Sequence, residues 1–318
     1  MPRVIAITGA AGYLGQRLIP HLYHSMDDID QFIAFDIRKI DLPSDIPCTF
    51  YDFDIRQDFT EILETHQVTD LVHMAWMLKP VHNTKKAYSV DINGTQNVLQ
   101  VAYNAKVKYL LHTSSTLAYG AHPDNPYPLL ESDQLRGNKS FHYPYHKALA
   151  ENLIDKFEQT HSDCMKIGRI RPSTILSYEL KSYVAEILRG GWRTLFMLPY
   201  PNKNTLVQFL HFEDALNGFK FMLENRLEGP YNITSDDTVT MGEIPKLLNQ
   251  RGFYVPIRIL RALLWLQWKF HLSEAPSGYL DFVAYPFVAS NEKIKKLGYV
   301  PEFSTIDALL TVLKDLPK

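Results

Sequence analysis

Thr8-Gly-Ala-Ala-Gly-Tyr-Leu-Gly15 is the stretch on which the fold turns. The apolar run Val4 to Ile7 before it reads as a short buried strand, and Tyr13 to His24 after it as a helix. Gly9, Gly12 and Gly15 stand at the junction. Their tasks are a tight turn, close approach of backbone to a pyrophosphate, and close packing of helix on strand. The helix N-terminus, around Ala11, Tyr13 and Leu14, offers free N–H groups and a partial positive charge to phosphates. Pro20 falls inside the helix, where it removes one hydrogen bond and is expected to kink it.

A chain of 318 residues can bury a large core, either as one α/β domain or as a nucleotide domain with a smaller companion. Thirty-three basic against 35 acidic residues give a net charge of −2, so nothing in the charge balance points to nucleic acid. Cys48 and Cys164 are the only cysteines, which argues against a disulfide framework and fits a reducing cytoplasm. No CxxC or HExxH spacing suggests a metal, so none is expected. The first apolar run begins almost at Met1, which leaves no room for a secretory leader. No apolar stretch reaches the roughly 18 residues of a membrane span, so no integral membrane segment is expected.

A second strand, Gln31 to Phe35, ends in Asp36, 21 residues after Gly15. A carboxylate there can bind ribose hydroxyls and repel a 2′-phosphate, which favours NAD. Arg38, two residues on, leaves NADP open. Asp54-Ile55 could meet an adenine, the carboxylate at its amino group and the isoleucine on its ring; a helix N-cap within Asp52-Phe-Asp-Ile55 is the competing reading. The strand Asp70 to Met74 leads into Ala75-Trp76, where a small residue lets backbone lie against the cofactor. Tyr109-Leu-Leu-His-Thr-Ser-Ser115 reads as a buried strand ending in hydroxyls.

Tyr143-Pro-Tyr-His-Lys147 carries the chemistry. Tyrosine is a poor base at its ordinary pKa of about 10. A neighbouring ammonium favours the phenolate, and i, i+4 spacing puts Tyr143 and Lys147 on one helix face. Pro144 suits the first turn of that helix. His142 and His146 share the same spacing, but no third metal ligand is evident.

With these segments in place the chain resembles the extended short-chain dehydrogenase/reductase superfamily, including its NAD-dependent epimerase/dehydratase branch. The resemblance spans roughly residues 3 to 220. It rests on the glycine fingerprint, Asp36, Asp54-Ile55, His73 to Trp76, Gly94-Thr95, Ser114 to Gly120, Tyr143-x-x-x-Lys147, Arg171-Pro172 and Leu210 to Asp214. It implies an α/β fold with a doubly wound, mostly parallel Rossmann sheet of about seven strands and a smaller C-terminal substrate-binding region. The cofactor core would occupy 1–172; residues 173–318 would mainly bind substrate, with 205–225 returning to the core.

Ser115 then matches the catalytic hydroxyl, Tyr143 the proton-transfer group and Lys147 the ribose-holding cation. Met74, Ala75, Trp76, Thr113, Arg171 and Pro172 would line the cofactor, and Ser114 would support the backbone or the cofactor. Trp76, Ser115, Thr116, Thr174, Trp192 and Phe196 would line the substrate. Asp91 stands where the family places a structural asparagine.

The substrate half departs from the nucleotide-sugar pattern. Thr174 and Val207 stand where such members carry an asparagine and an arginine that hold the substrate diphosphate, and Ser177-Tyr178 replaces their Gly-Pro. Arg189 and Arg193 could supply charge from elsewhere. The segments Leu195 to Tyr200 and Ile257 to Leu272 are strongly apolar. The latter could cover a pocket, rest on a membrane surface, or serve as a core or dimer helix.

The leading expectation is therefore an NAD(P)-dependent oxidoreductase interconverting a secondary alcohol and a ketone on a fairly apolar small molecule. The alternatives are a nucleotide-sugar epimerase or dehydratase with tightly bound NAD and, in another class, a non-catalytic NAD(P)-binding redox sensor. A homodimer is left open.

Overall fold

In the computed structural model, residues 2–161, 165–180, 184, 185, 188, 196–200, 204–250, 252–273 and 275–313 are described. Strand β1 (Arg3–Thr8) is followed by helix α1 (Tyr13–Ser25), and then by β2 (Ile29–Asp36) and β3 (Cys48–Asp52) on one side. Helix α2 (Thr60–Thr65) leads to β4 (Asp70–His73) on the other side of β1. Then come α3 (Thr84–Tyr88), a π-helical turn at Ser89–Asn93, α4 (Gly94–Asn104), β5 (Tyr109–Thr113), α5 (His142–Thr160) and β6 (Lys166–Pro172). Short strands β7 (Thr174–Leu176), β8 (Phe196–Tyr200), β9 (Leu206–Val207) and β10 (Phe209–His211) precede α6 (Phe212–Asn225). Strands β11 (Gly229–Ile233), β12 (Val239–Thr240) and β13 (Gly252–Pro256) precede α7 (Ile257–Lys269), and α8 (Thr305–Leu310) lies near the C-terminus.

Seven strands form one parallel sheet in the order β11-β6-β5-β4-β1-β2-β3. The order reverses direction at β1, so the C-terminal ends of β1 and β4 open a crevice at the point where ligands bind in such sheets. Both faces are covered. Leu18, Ile19 and Leu22 of α1 join Phe219 and Met222 of α6 on one face; Leu63, Val98, Leu99 and Ile154 pack on the other. The central strands are accordingly almost continuous apolar runs, as burial on both faces requires.

The return of the chain to the sheet extends past residues 205–225, because β11 supplies an edge strand beside β6. Helix α1 runs on through Pro20, so the proline leaves the Gln16 carbonyl without its helical donor but does not end the helix. A separate apolar cluster, with Leu176, Val207, Phe209, Ile244 and Leu309, forms the core of the C-terminal region. The closing segment is tied down through Asp214, which accepts the backbone N–H groups of Glu302 and Phe303 at 2.8 and 3.0 Å. The Ser304–Asp307 capping box then starts α8.

Candidate active site

The glycine loop is built as its sequence predicts. Gly9 has φ +73°, and a Cβ there would lie 2.6 Å from the Ala75 nitrogen, so the turn must stay bare to pass the end of β4. A Cβ on Gly15 would meet the Ala10 carbonyl oxygen at 2.6 Å, which explains the need for glycine where α1 leans on the loop. Gly12 precedes the helix in extended conformation, and no side chain caps the first turn. Those N–H groups are therefore left for an anion.

Asp36 ends β2 with its carboxylate turned to this loop. Oδ2 accepts from the Ala11 N–H at 3.0 Å, and Oδ1 accepts from the backbone N–H and Nε of Arg38 at 3.0 and 3.3 Å. Arg38 thus folds back on Asp36. Asp54 is held by Arg56, whose guanidinium keeps this carboxyl below its ordinary range. Neither Asp52 nor Asp54 caps a helix: Asp58 receives the Thr60 N–H where α2 begins. Ile55 is buried against Gly94.

His73, at the end of β4, stitches the crevice together. Its ring nitrogens hydrogen-bond the hydroxyls of Thr8 at 2.8 Å and Thr95 at 3.0 Å, and Thr95 donates to the Asp91 carbonyl. Burial, helped by the Lys147 charge, pushes His73 down to about 3, so the ring is neutral. The sequence reading counted it within the His73 to Trp76 segment but gave it no role of its own.

Across the crevice, α5 carries Tyr143 and Lys147 on one face. Lys147 is buried, donates to the Thr113 carbonyl at 2.5 Å, and lies 3.4 Å from the centre of the Trp76 ring. The Tyr143 ring centre is 5.8 Å from the same ammonium. Burial brings Lys147 down to about 7, while Asp91 and Glu151 pull it back up. Burial pushes the Tyr143 phenol up to about 12; the Ser115 side chain draws it down by less, and Asp91 adds to the rise. Without a ligand, burial therefore outweighs the other groups acting on this phenol. Ser115 also bonds the Pro172 carbonyl, at 3.3 Å.

Several predicted residues gather at this crevice with capacity to spare. The Thr113 and Thr116 hydroxyls and the Trp76 indole N–H are buried without a hydrogen-bond partner among the described residues. Such groups suit a polar ligand. Together with the bare glycine turn, the uncapped helix and Asp36, they fit a dinucleotide.

Arg171 is occupied within the protein. Its guanidinium is buried and committed to Glu151, at 2.8 and 2.6 Å, and to the Tyr119 hydroxyl at 2.7 Å. Ser114 completes the set by donating to Glu151 at 2.5 Å. Burial disfavours the Glu151 charge, but Arg171, Ser114 and Arg169 hold the carboxyl below its usual range. The side chains of Arg171 and Ser114 are thus both bound to Glu151 and brace the wall of the crevice.

Asp91 lies in the π-helical turn and is fully buried. It accepts the Met77 N–H at 2.9 Å and pairs with His146 Nδ1 at 2.8 Å. His142 contacts the Met77 carbonyl at 3.2 Å. The two histidines thus fasten the segment after Trp76. Among the described residues no three His, Cys, Asp or Glu side chains are grouped to hold a metal.

On the substrate side, Thr174 begins β7 and is half-buried. Val207 is buried in the apolar C-terminal cluster, so its position offers no charge to a phosphate. Tyr13 reaches across to Ser177, hydroxyl to hydroxyl, at 2.8 Å. Trp192, Arg189 and Arg193 lie outside the described residues, and only the backbone of Phe196 is described. Leu260 is the one buried residue of α7, so this helix is no core element.

Among solved structures, MoeE5 in complex with UDP-glucuronic acid and NAD superposes with a TM-score of 0.74 at 19% identity, over 96% of both chains. UDP-glucose 4-epimerase from Thermotoga maritima gives 0.73 at 17%, over 98% of this chain and 97% of that one. These likenesses show the fold. UDP-glucuronic acid decarboxylase 1 of Arabidopsis thaliana is 27% identical over 270 residues, 77% of this chain and 58% of that protein. The chain thus spans less than two thirds of that relative's length. A 3 beta-hydroxysteroid dehydrogenase/Delta 5-->4-isomerase of Monkeypox virus is 30% identical over 164 residues, 48% of this chain and 46% of the viral protein. The model of the NAD dependent epimerase/dehydratase family matches residues 5–234, well over half of the chain, and the chain belongs to that family.

Proposed function

We propose that this protein is an NAD-dependent enzyme that oxidises a secondary carbinol of a nucleotide-linked sugar and carries the product on to an epimerised, dehydrated or decarboxylated sugar. The clustering of Ser115, Tyr143 and Lys147 beside the glycine crevice carries the reading. The relatives named UDP-glucuronic acid decarboxylase and UDP-glucose 4-epimerase support the substrate class. Residues 1–172 with the returning strand and helix would form the cofactor half, and the remainder the substrate half.

Gly9, Gly12 and the first turn of α1 would hold the pyrophosphate, and Asp36 the adenosine ribose. Thr113, Trp76 and Lys147 would border the nicotinamide end. NAD, when bound, supplies a hydride acceptor. Tyr143 takes the carbinol proton during oxidation and returns it on reduction. Ser115 orients the reacting oxygen by hydrogen bonding to it. Lys147 holds its charge close to the phenol, where a cation favours the phenolate. His73 keeps the ends of β1, β4 and α4 in register.

Val207 favours a second reading, because an apolar residue replaces the expected phosphate clamp. On that reading the substrate is an apolar secondary alcohol or ketone. One experiment separates the two. Purified protein is dialysed, its bound nicotinamide is measured, and it is incubated with UDP-glucuronic acid, UDP-glucose or dTDP-glucose while products are followed by chromatography. Retained NAD with conversion of one nucleotide sugar supports the first reading. Inertness toward all three, with NADH formed from sterol-like alcohols and added NAD, transfers the assignment to the second. Failure to bind NAD overturns both.

A further inference from the structure

Helix α7 turns an apolar face outward. Ile259, Leu263, Leu266 and Phe270, spaced four, three and four residues apart, lie on one side of the helix. Each is between 48% and 61% exposed. A protein surface seldom leaves such a contiguous stripe in water without a use for it.

The surroundings of the stripe are basic. Arg258 and Lys269 flank it, and neither has a carboxylate partner among the described residues. Arg261 is bound to Asp281 at 2.7 Å. Beside Arg258 and Arg261, a hollow of about 380 Å³ opens against Trp265 and Ser277. Residues 78–86 lie alongside, joined by the His82 ring stacked on Trp268 at 3.7 Å. They add Lys79, Lys85 and Lys86, with Leu78 largely exposed. There is no Asp or Glu between Asp70 and Asp91, nor between Glu243 and Glu274.

We propose that α7 is an interfacial helix that docks this protein on an anionic bilayer. An apolar stripe edged by aromatic rings and by cations without a carboxylate partner among the described residues fits the boundary between acyl chains and negatively charged headgroups. With 13 residues the helix is too short to cross the hydrocarbon layer, so it lies along the surface. A second copy of the chain suits the stripe less well. Packing two such faces together would set cations against cations, with no acidic residue on either helix to answer them. The dock also adjoins the active site. Met77, just before the basic segment, is bonded to Asp91 and His142 in the wall of the crevice.

The test is co-sedimentation of the full-length protein with phosphatidylglycerol–phosphatidylcholine vesicles and with phosphatidylcholine vesicles. Light scattering of the protein without lipid runs alongside. Binding to the anionic vesicles, weakening as salt is raised, is the expected result. Arg258→Gln with Lys269→Gln should weaken it about 30-fold. Leu266→Asp with Phe270→Ser should remove it. All four side chains are exposed, so the melting temperatures of both variants should match the parent, and turnover is not needed as a readout. Equal binding to both vesicle types, or binding to neither, overturns the proposal. So does a dimer in solution that Leu266→Asp dissociates without any vesicle binding.

Discussion

One turn of α5 separates two buried charges that the fold treats in opposite ways. Glu151 is fully enclosed, yet Arg171, Ser114 and the nearby Arg169 hold it firmly as a carboxylate. Lys147 is buried almost as deeply, with a backbone carbonyl and an indole face as neighbours, and burial brings its ammonium down to about 7. The first charge is paired on every side and belongs to the scaffold. The second is under-paired and lies beside the crevice proposed as the active site. Perturbed groups at a crevice are the mark of a working site, whereas a saturated ion pair marks a brace.

The comparison can be broken by experiment. Tyr143→Phe should produce the largest change, lowering turnover by about 10²–10⁴-fold, with NAD affinity and melting temperature nearly unchanged. Retained turnover in a steady-state assay would remove the phenol from proton transfer. Arg171→Met should cost about 3–5 kcal/mol in urea unfolding, because Glu151 would be left buried and unpaired. Lys147→Met, at similar depth, should leave stability level or higher while turnover is lost. Equal destabilisation by both substitutions would erase the distinction between brace and working charge.

Stability against pH gives a finer test. The folded-state pKa of Lys147, about 7, lies below its ordinary value of 10.5. Between those values the unfolded chain carries a proton that the folded chain does not, so this group makes stability rise with pH across that window. Below pH 7 its contribution is constant and unfavourable. The gap in unfolding free energy between the Lys147→Met variant and the parent should therefore narrow by on the order of 1 kcal/mol per pH unit above 7. A constant gap would mean that Lys147 is better paired than its surroundings indicate.

Asp36 stands between the two extremes, half satisfied by Ala11 and Arg38. Asp36→Ala should give the smallest effect, shifting the ratio of NAD to NADP affinity toward NADP by about tenfold. An unchanged ratio in paired titrations would leave Asp36 bracing the glycine loop only.

Much of the cofactor half was legible because its signals are local. The strand before Gly9, the glycine turn, the end of β2 at Asp36 and the i, i+4 placement of Tyr143 and Lys147 all follow from backbone conformation within a few residues. The pairing of Arg171 with Glu151 was not legible, because an arginine at a strand end gives no sign of the carboxylate it will meet. His146 was weighed with His142 as a metal ligand, and its partner proved to be Asp91, 55 residues away. The apolar character of α7 was plain in the sequence, but which face would be covered was not.

The sequence by itself determined the parallel α/β plan, the bare loop that a dinucleotide needs and the one-face placement of Tyr143 and Lys147. Each of these depends on periodicity and on conformations set by neighbouring residues. Only the tertiary structure decided which buried charges are paired, that Trp76 lies over Lys147, that Val207 sits in an apolar cluster, and that α7 keeps its stripe in solvent. Burial and ion pairing depend on groups brought together from distant parts of the chain. Their energies are therefore set by packing, which no local pattern encodes.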